Sequence, residues 1–486
     1  MKKTISVLFL VFSITVTMAQ NFYIKRSTDN IEEHPFFIIQ CSNSNSYLMT
    51  SYYKKTTSSI PIPTLYKLRN NAVVDSLQLL SERGYLYNVI EINDNLYSIL
   101  GYVYNSTTNK YDLLFSQIDS SFNILLTRKY STIYQKVPLL MKTIINHNNE
   151  YISSSWGEDF SSIYQAQYTR INNNGDLITM HYFDYPGDTS PHHSWDIIEY
   201  TNDRYIAPIG ANYLVPLVGN GAGFIKMDTL FNVIGADSTR GQINLASNIK
   251  KIANNKLLYC GEMAISPKSK MRVLILDTVF NIQNTYTSTS QDTMLKSPAY
   301  QNVDFINKNN IYVAFTNSFQ DLYPFGTDPS WIDVINFDSL LNVRWKKHIG
   351  GDMYYGVNSI LATTDGGCMI IGTFYNNAIG IHQRDFFALK LDSLGNTVMS
   401  IPNNIGLNSG ISVFPNPCSN MLTVTLNQQI TKPVTIQIFN VLGKEIFQTL
   451  TTNTENTFNI SDLSNGIYLV KIENESGVEL QKVVKN

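Results

Sequence analysis

The sequence predicts an all-β protein: a seven-bladed β-propeller over residues 20–402, then a small Ig-like β-sandwich over residues 411–486. Three observations carry this expectation. First, one polar turn recurs between apolar runs. Asp-x-x-x-Asn stands at Asp119/Asn123, Asp228/Asn232, Asp277/Asn281, Asp338/Asn342 and Asp392/Asn396, with a variant from Asn172 to Asp176 and a shortened form around Arg69. The seven copies begin 49 to 61 residues apart. Asp and Asn suit this place because their short side chains bond local backbone and tolerate positive φ. Second, a polar turn followed by an aromatic or aliphatic run precedes each copy, at Asn45–Met49, Asp94–Ser98, Asn149–Ile152, Asp203–Ile206, Asn255–Leu258, Asn310–Val313 and Gly367–Ile370. Two signatures with one count and phase, strands alone and a period near 50 residues fit propeller blades. Third, the texture changes after a Gly/Asn/Ser-rich linker at 403–410, and short alternating strands follow, such as Leu422–Leu426 and Val434–Ile438.

The clearest unit runs from Asn358 to Ser400, four short strands and three turns. Counted from it, the units start near Pro35, Tyr87, Met141, Trp195, Ala246, Asn302 and Val357. Phe22-Tyr23-Ile24 is a strand that helps to close the ring. A set of unrelated hairpins in one large sandwich is the competing reading, and fixed-phase repetition argues against it.

Net charge is −2 and charged residues make up 15% of the chain, which argues against a general nucleic-acid surface. Met1-Lys2-Lys3, the apolar run Ile5–Val16 and the small residues around Ala19 form a secretory signal peptide over residues 1–19. No later stretch is apolar for long enough to cross a membrane as a helix. The four cysteines, Cys41, Cys260, Cys368 and Cys418, form no framework by spacing. Ring closure would make Cys41 and Cys368 neighbours, but small buried hydrophobes are the expected role for most.

Residues 411–486 closely resemble the type A C-terminal sorting domain of the type IX secretion system. The residues that carry the likeness are Phe414-Pro415-Asn416-Pro417, then Gly443-Lys444, then Asp462 to Tyr468 with Gly466, and Lys482 in the last strand. Cys418 and Asn420 depart from the family's more usual small residue and Asp. The resemblance implies a Gram-negative bacterium, the secretion translocon as partner, and a product that is secreted or attached to the outer-membrane surface. The repeats before it resemble, more loosely, bacterial extracellular propellers with a Lys-apolar-Asp-x-x-Gly-Asn turn, clearest at Lys390–Asn396. At Thr229, Thr278, Ser339 and Ser393 the turns match an Asp-Ser/Thr-apolar pattern that is O-glycosylated in some bacteria using this route. The turn itself also selects Asp-Ser/Thr, so both readings stand.

No catalytic set, metal site or cofactor is assigned. The Asp-box of sialidase propellers is incomplete in every copy, and the four tryptophans do not repeat in phase as in quinoprotein propellers. His192-His193 with Asp188 and Asp196 has metal-ligand residue types, but adjacent side chains diverge on extended backbone, and a solvated loop is expected. The first expectation is a non-catalytic binding or adhesion module for an extracellular glycan or protein. The alternative is a propeller hydrolase or lyase acting on polysaccharide or peptide.

A binding face follows from topology. With strands A to D in each unit, the A–B and C–D turns are short and uniform, so the variable B–C and D–A connections share the opposite face. The candidate ligand contacts on it are Trp156, Tyr185, His192, His193, Trp195, Tyr323, Phe325, Trp331, Tyr354 and Tyr355. Amphipathic aromatics on loops of a rigid scaffold suit sugar stacking or peptide anchoring.

Overall fold

A computed structural model of the chain describes residues 24–25, 32–42, 46–55, 59–69, 72–159, 164–183, 192–214, 219–238, 243, 245–265, 268–289, 295–298, 300–318, 329–375, 384–397, 411–426, 433–440, 445–474 and 477–486. The signal-peptide and linker segments lie outside them. Every regular element among the described residues is a β-strand. The chain divides into two compact units, Met1–Lys67 with Asp75–Val398, and Leu68–Val74 with Met399–Asn486.

Among the described residues before the sandwich there are seven antiparallel sheets; six follow sequential strand order, and the seventh takes a strand from the start of the chain. Blade 1 is Glu32–Gln40, Ser46–Lys54, Ile62–Arg69 and Ala72–Gln78. Blade 2 is Gly84–Asn93, Leu96–Asn105, Lys110–Asp119 and Ile124–Ser131. Blade 3 is Leu139–Ile145, Tyr151–Glu158, Tyr164–Ile171 and Leu177–Phe183. In blade 4 strand A is split into His192–Ser194 and Ile198–Thr201, both paired to Arg204–Leu214, with Gly219–Met227 and Val233–Ser238 outside. Blade 5 is Leu245–Ala253, Lys256–Ile265, Lys268–Asp277 and Ile282–Thr287. Blade 6 has the same split, with Leu295–Lys296 and Val303–Asn307 on Asn310–Asn317, then Trp331–Phe337 and Val343–Gly350. Blade 7 is Tyr354–Ala362, Cys368–Tyr375 and Asp385–Leu391. Its fourth strand is Ile24–Lys25 from the start of the chain, paired to Ala388 and Phe387.

Burial explains the apolar runs. The middle strands Cys368–Tyr375 and Asp385–Leu391 are buried throughout, because each blade face packs on a neighbour. Outer strands such as Ala72–Gln78 and Ile124–Ser131 are largely exposed and polar or mixed. The inner strands meet at the ring's axis. Phe36 of blade 1 touches Tyr87 of blade 2 at 4.5 Å and Tyr300 of blade 6 at 5.1 Å between ring centroids. Lys142 of blade 3 reaches across to donate to Gln301 Oε1 of blade 6 at 3.0 Å, with its ammonium 4.8 Å from the Phe37 ring centre.

Most inner strands carry a bulge close to the predicted unit start, at Pro35/Phe37, Leu86/Asn88, Leu140/Lys142 and Val357/Ser359. At four of the seams a polar side chain near this level ties one blade to the next. Asn88 Oδ1 accepts from Thr143 N at 3.1 Å, Asp196 Oδ2 from Ile249 N at 3.0 Å, and Asn248 Oδ1 from Asn302 N at 2.7 Å. Asn358 of blade 7 donates to Pro35 O of blade 1 at 2.6 Å. The unit starts read from sequence therefore mark this ring of staples rather than strand beginnings.

The recurrent turn has one geometry. In Asp228–Asn232 the Asp carboxylate accepts from Leu230 N, Asn232 N and the Asn232 amide, all within 3.0 Å. Asp119, Asp277, Asp338 and Asp392 repeat it. Positive φ, however, falls on neither Asp nor Asn. It falls on the fourth residue: Phe122, Phe231, Phe280, Leu341, Gly175 and Gly395. A bulky residue there is strained, and packing offsets the strain. Phe231 is fully buried between Tyr168 and Tyr205, and Phe280 stacks on Phe224 at 4.5 Å. All four cysteines are free thiols and buried, so Cys41 and Cys368 form no bridge.

The second unit is a two-sheet antiparallel sandwich of seven described strands. Ile411–Phe414, Met421–Leu426 and Glu455–Asn459 form one sheet. Val434–Asn440, Glu445–Thr451, Gly466–Asn474 and Gly477–Lys485 form the other. Leu422, Val424, Ile436, Ile438, Val470 and Ile472 fill its core. Asn416 pins the last strand, donating to Lys482 O at 2.7 Å and accepting from Val484 N at 2.9 Å. Tyr468 donates to Ser464 O at 2.7 Å. These motif residues hold the sandwich's edges together. Gly443 and Lys444 lie outside the described residues.

Candidate functional site

A cavity of about 580 Å³ opens at the blade 2–blade 3 seam, on the face of the B–C and D–A connections. Four short segments line it. Arg83 precedes the inner strand of blade 2. Tyr104, Asn109 and Tyr111 flank that blade's B–C hairpin, which is shaped by Thr107 N donating to Asn105 Oδ1 at 3.0 Å. Gln135, Lys136 and Val137 come from the connection into blade 3. Trp156 and Glu158 end its second strand, and Tyr164 begins its third.

Two cations and one carboxylate set the local charge. The Lys136 ammonium lies 2.6 Å from Glu158 Oε1; Lys136 is 70% exposed and Glu158 only 5%. The bond to Glu158 raises the Lys136 pKa above its ordinary value. The Arg83 guanidinium sits over Tyr104 at 5.7 Å and Tyr111 at 5.8 Å, the geometry of cation–π attraction. Burial pushes the Tyr111 hydroxyl well above its usual pKa, so it stays protonated.

Behind the cavity an aromatic cluster spans blades 3 and 4. The Trp156 ring centre is 5.5 Å from Tyr164, 4.3 Å from His193 and 6.0 Å from Trp195. Tyr164 and His193 are 5.3 Å apart. Glycines make the room. A Cβ on Gly157 would meet Tyr134 at 2.7 Å, and one on Gly210 would meet the Trp195 indole nitrogen at 2.7 Å. The indole N–H groups of Trp156 and Trp195 are buried without a hydrogen-bond partner.

Trp156, His193 and Trp195 are thus brought together. His192 lies beside them on the split inner strand, and its side chain is outside the described residues, as are Tyr185, Tyr323 and Phe325. Asp196 is committed to Ile249 N and Asn248. Trp331 belongs to a second place, at blade 6, where it stacks on His348 at 5.2 Å and 13°. There the fully buried Asp333 accepts from Asn317 Nδ2 at 3.1 Å and from His348 Nδ1, and pairs with Lys346 at 3.0 Å. Tyr354 opens the inner strand of blade 7 and is half-buried. Tyr355 is fully buried, its hydroxyl 2.7 Å from Asp352, and its ring is core rather than surface.

Sequence reasoning missed Arg83, Tyr104, Lys136, Glu158 and Tyr164. The signal for Tyr104 and Tyr111 was present as two tyrosines flanking the polar hairpin 105–110. Search by loop length passed over it. On the opposite face, Thr229, Thr278, Ser339 and Ser393 sit at the C–D turn tips, each followed by an exposed aliphatic residue, Leu394 being 69% exposed.

The described antiparallel sheets, the last of them completed by a strand from the chain's start, define a β-propeller closed by its two ends. The unit behind it matches the family model described as "Secretion system C-terminal sorting domain" over residues 412–486. That unit is a type IX sorting domain, and the chain is secreted or attached to the outer-membrane surface. No curated protein matches the chain. Among solved structures it is similar to the β-propeller domain of the Trilobed protease from Pyrococcus furiosus, at 9% identity, covering 74% of this chain and 93% of that one, TM-score 0.42. Drosophila Semaphorin 2a is similar at 6% identity, 96% and 99% coverage, TM-score 0.44. Pyrococcus horikoshii acylaminoacyl peptidase is similar at 8% identity, covering 82% of this chain and 58% of that one, TM-score 0.43. The assignment of the fold rests on the chain's own sheet order.

Proposed function

We propose that the propeller of this exported chain is a non-catalytic binding module that holds a glycan or peptide at the blade 2–4 part of its B–C/D–A face. The observation that supports this most is the aromatic wall of Trp156, Tyr164, His193 and Trp195 beside a cavity with few, specific polar groups, a composition usual for small-ligand sites. Glu158 is the one carboxylate among the cavity's described lining residues, and Lys136 holds it in an ion pair. Glycoside hydrolysis ordinarily needs two facing carboxylates. In the second reading, a hydrolase or lyase, the Asp333–His348 pair supplies an oriented base. Thr229, Thr278, Ser339 and Ser393 remain candidate O-glycosylation sites on the turn face, read out by peptide mass spectrometry of protein from the native host.

The test is a glycan and peptide array probed with the full-length protein and with Trp156→Ala. Saturable binding that the variant loses at unchanged melting temperature supports the reading. Turnover of an arrayed substrate that His348→Gln abolishes would replace it with the hydrolase reading.

A further inference from the structure

We infer that the cavity between blades 2 and 3 selects a glycan bearing carboxylates, that is, one built with uronic acid residues. This deepens the binding reading above and rests on it. Three features of the cavity point the same way.

The first is charge. Arg83 forms no ion pair among the described residues; its guanidinium is held in place by the Tyr104 and Tyr111 rings instead. Glu158 is neutralised by Lys136, whose ammonium is otherwise turned to water. The lining therefore carries one positive charge in excess, placed on a planar fork that matches a carboxylate in two parallel bonds. The second is the wall. Tyr104, Trp156 and Tyr164 line it with aromatic rings, a chemistry that suits the C–H face of a sugar ring. The third is the pair of side-chain amides among the lining residues, Asn109 and Gln135. Such amides both donate to and accept from sugar hydroxyls. An anion for Arg83, a flat apolar face for the aromatics and hydroxyls for the amides are joined in one molecule in an acidic sugar. An acidic peptide supplies the first and lacks the hydroxyl-bearing ring. The volume lies within the range of small-ligand pockets, so an oligosaccharide segment fills it.

The experiment is calorimetric titration of the full-length protein with defined oligomers. The probes are trigalacturonate, its full methyl ester, an alginate trimer, a neutral gluco-oligosaccharide, a sulfated oligosaccharide and a hexaglutamate peptide. The expected result is binding of at least one uronate oligomer, weakened on the order of tenfold to a hundredfold in Arg83→Gln. Methyl esterification weakens binding of trigalacturonate similarly, and added salt weakens the acid but not the ester. Arg83→Gln still melts cooperatively, a little below the parent because its two cation–π contacts are lost. Equal affinity for acid and ester, or preference for the neutral oligomer, overturns the carboxylate inference and leaves the binding module intact. Preference for the sulfated oligomer or the peptide overturns it in favour of that ligand, as does binding of no uronate at all. Full binding in both Arg83→Gln and Trp156→Ala overturns the site, and with it the proposed function at this face.

Discussion

Asn358 donates its side-chain amide to the carbonyl oxygen of Pro35 at 2.6 Å, so the last blade grips the first at the level where neighbouring blades grip each other. Pro35 is buried, and no water replaces that donor easily. Asn358→Leu should cost about 1–3 kcal/mol, the penalty of an orphaned buried acceptor. Chemical denaturation of the full chain, followed by tryptophan fluorescence, measures it. A midpoint equal to the parent's would show that side-chain packing alone holds the seam.

The same seam should be acid-sensitive through His34. Its ring stacks on Tyr52 and its Nδ1 lies 3.3 Å from the Asn358 amide. Burial first, and the Arg384 charge second, lower its pKa from 6.5 to about 3. The unfolded chain thus binds a proton that the folded chain refuses. The contribution is whole above pH 6.5 and is lost progressively as pH falls from 6.5 towards 3. His34→Gln should flatten this limb by about 2–4 kcal/mol relative to the parent. Parallel acid limbs in the two proteins would contradict the assignment.

Lys142 at the axis should act in the opposite pH range. Loss of water, then the like charge of Lys250, lowers its pKa from 10.5 to about 8. Folding therefore opposes its charge, fully below pH 8 and decreasingly up to pH 10.5. Parent stability should rise relative to Lys142→Met by about 1–2 kcal/mol between pH 7 and pH 9.5. Thermal melts at both pH values decide it, and a constant difference would remove the charge from the argument.

Phe231→Gly separates strain from packing. Glycine relieves a φ of 64° but removes a ring buried between Tyr168 and Tyr205. Packing should win, with a net loss of about 2–4 kcal/mol. Stabilisation in denaturant titration would mean that backbone strain dominates the turn.

The blades were legible because two turn signatures repeat in phase, and turn chemistry is local. Which residue takes the left-handed conformation was not, because Asp and Asn advertise the turn while Phe231 and Phe280 bear it. The staples Asn88, Asn248 and Asn358 are single polar residues inside apolar strands, and their partners lie in another blade. In the site, Trp156, His193 and Trp195 stood out as aromatics in long connections. Arg83, Tyr104, Lys136 and Glu158 sit in short segments of two blades, and packing of blade on blade is what assembles them.

The pairing of Ile24 with Ala388 also sets an order of events. A chain that emerges or is threaded beginning-first presents Ile24 long before its partner strand, Asp385–Leu391, arrives. Six sheets can form from their own strands meanwhile, and the seventh cannot. The ring therefore closes last, when Asp385–Leu391 reaches the strand at Ile24, and until then one edge of the seventh sheet is unpaired.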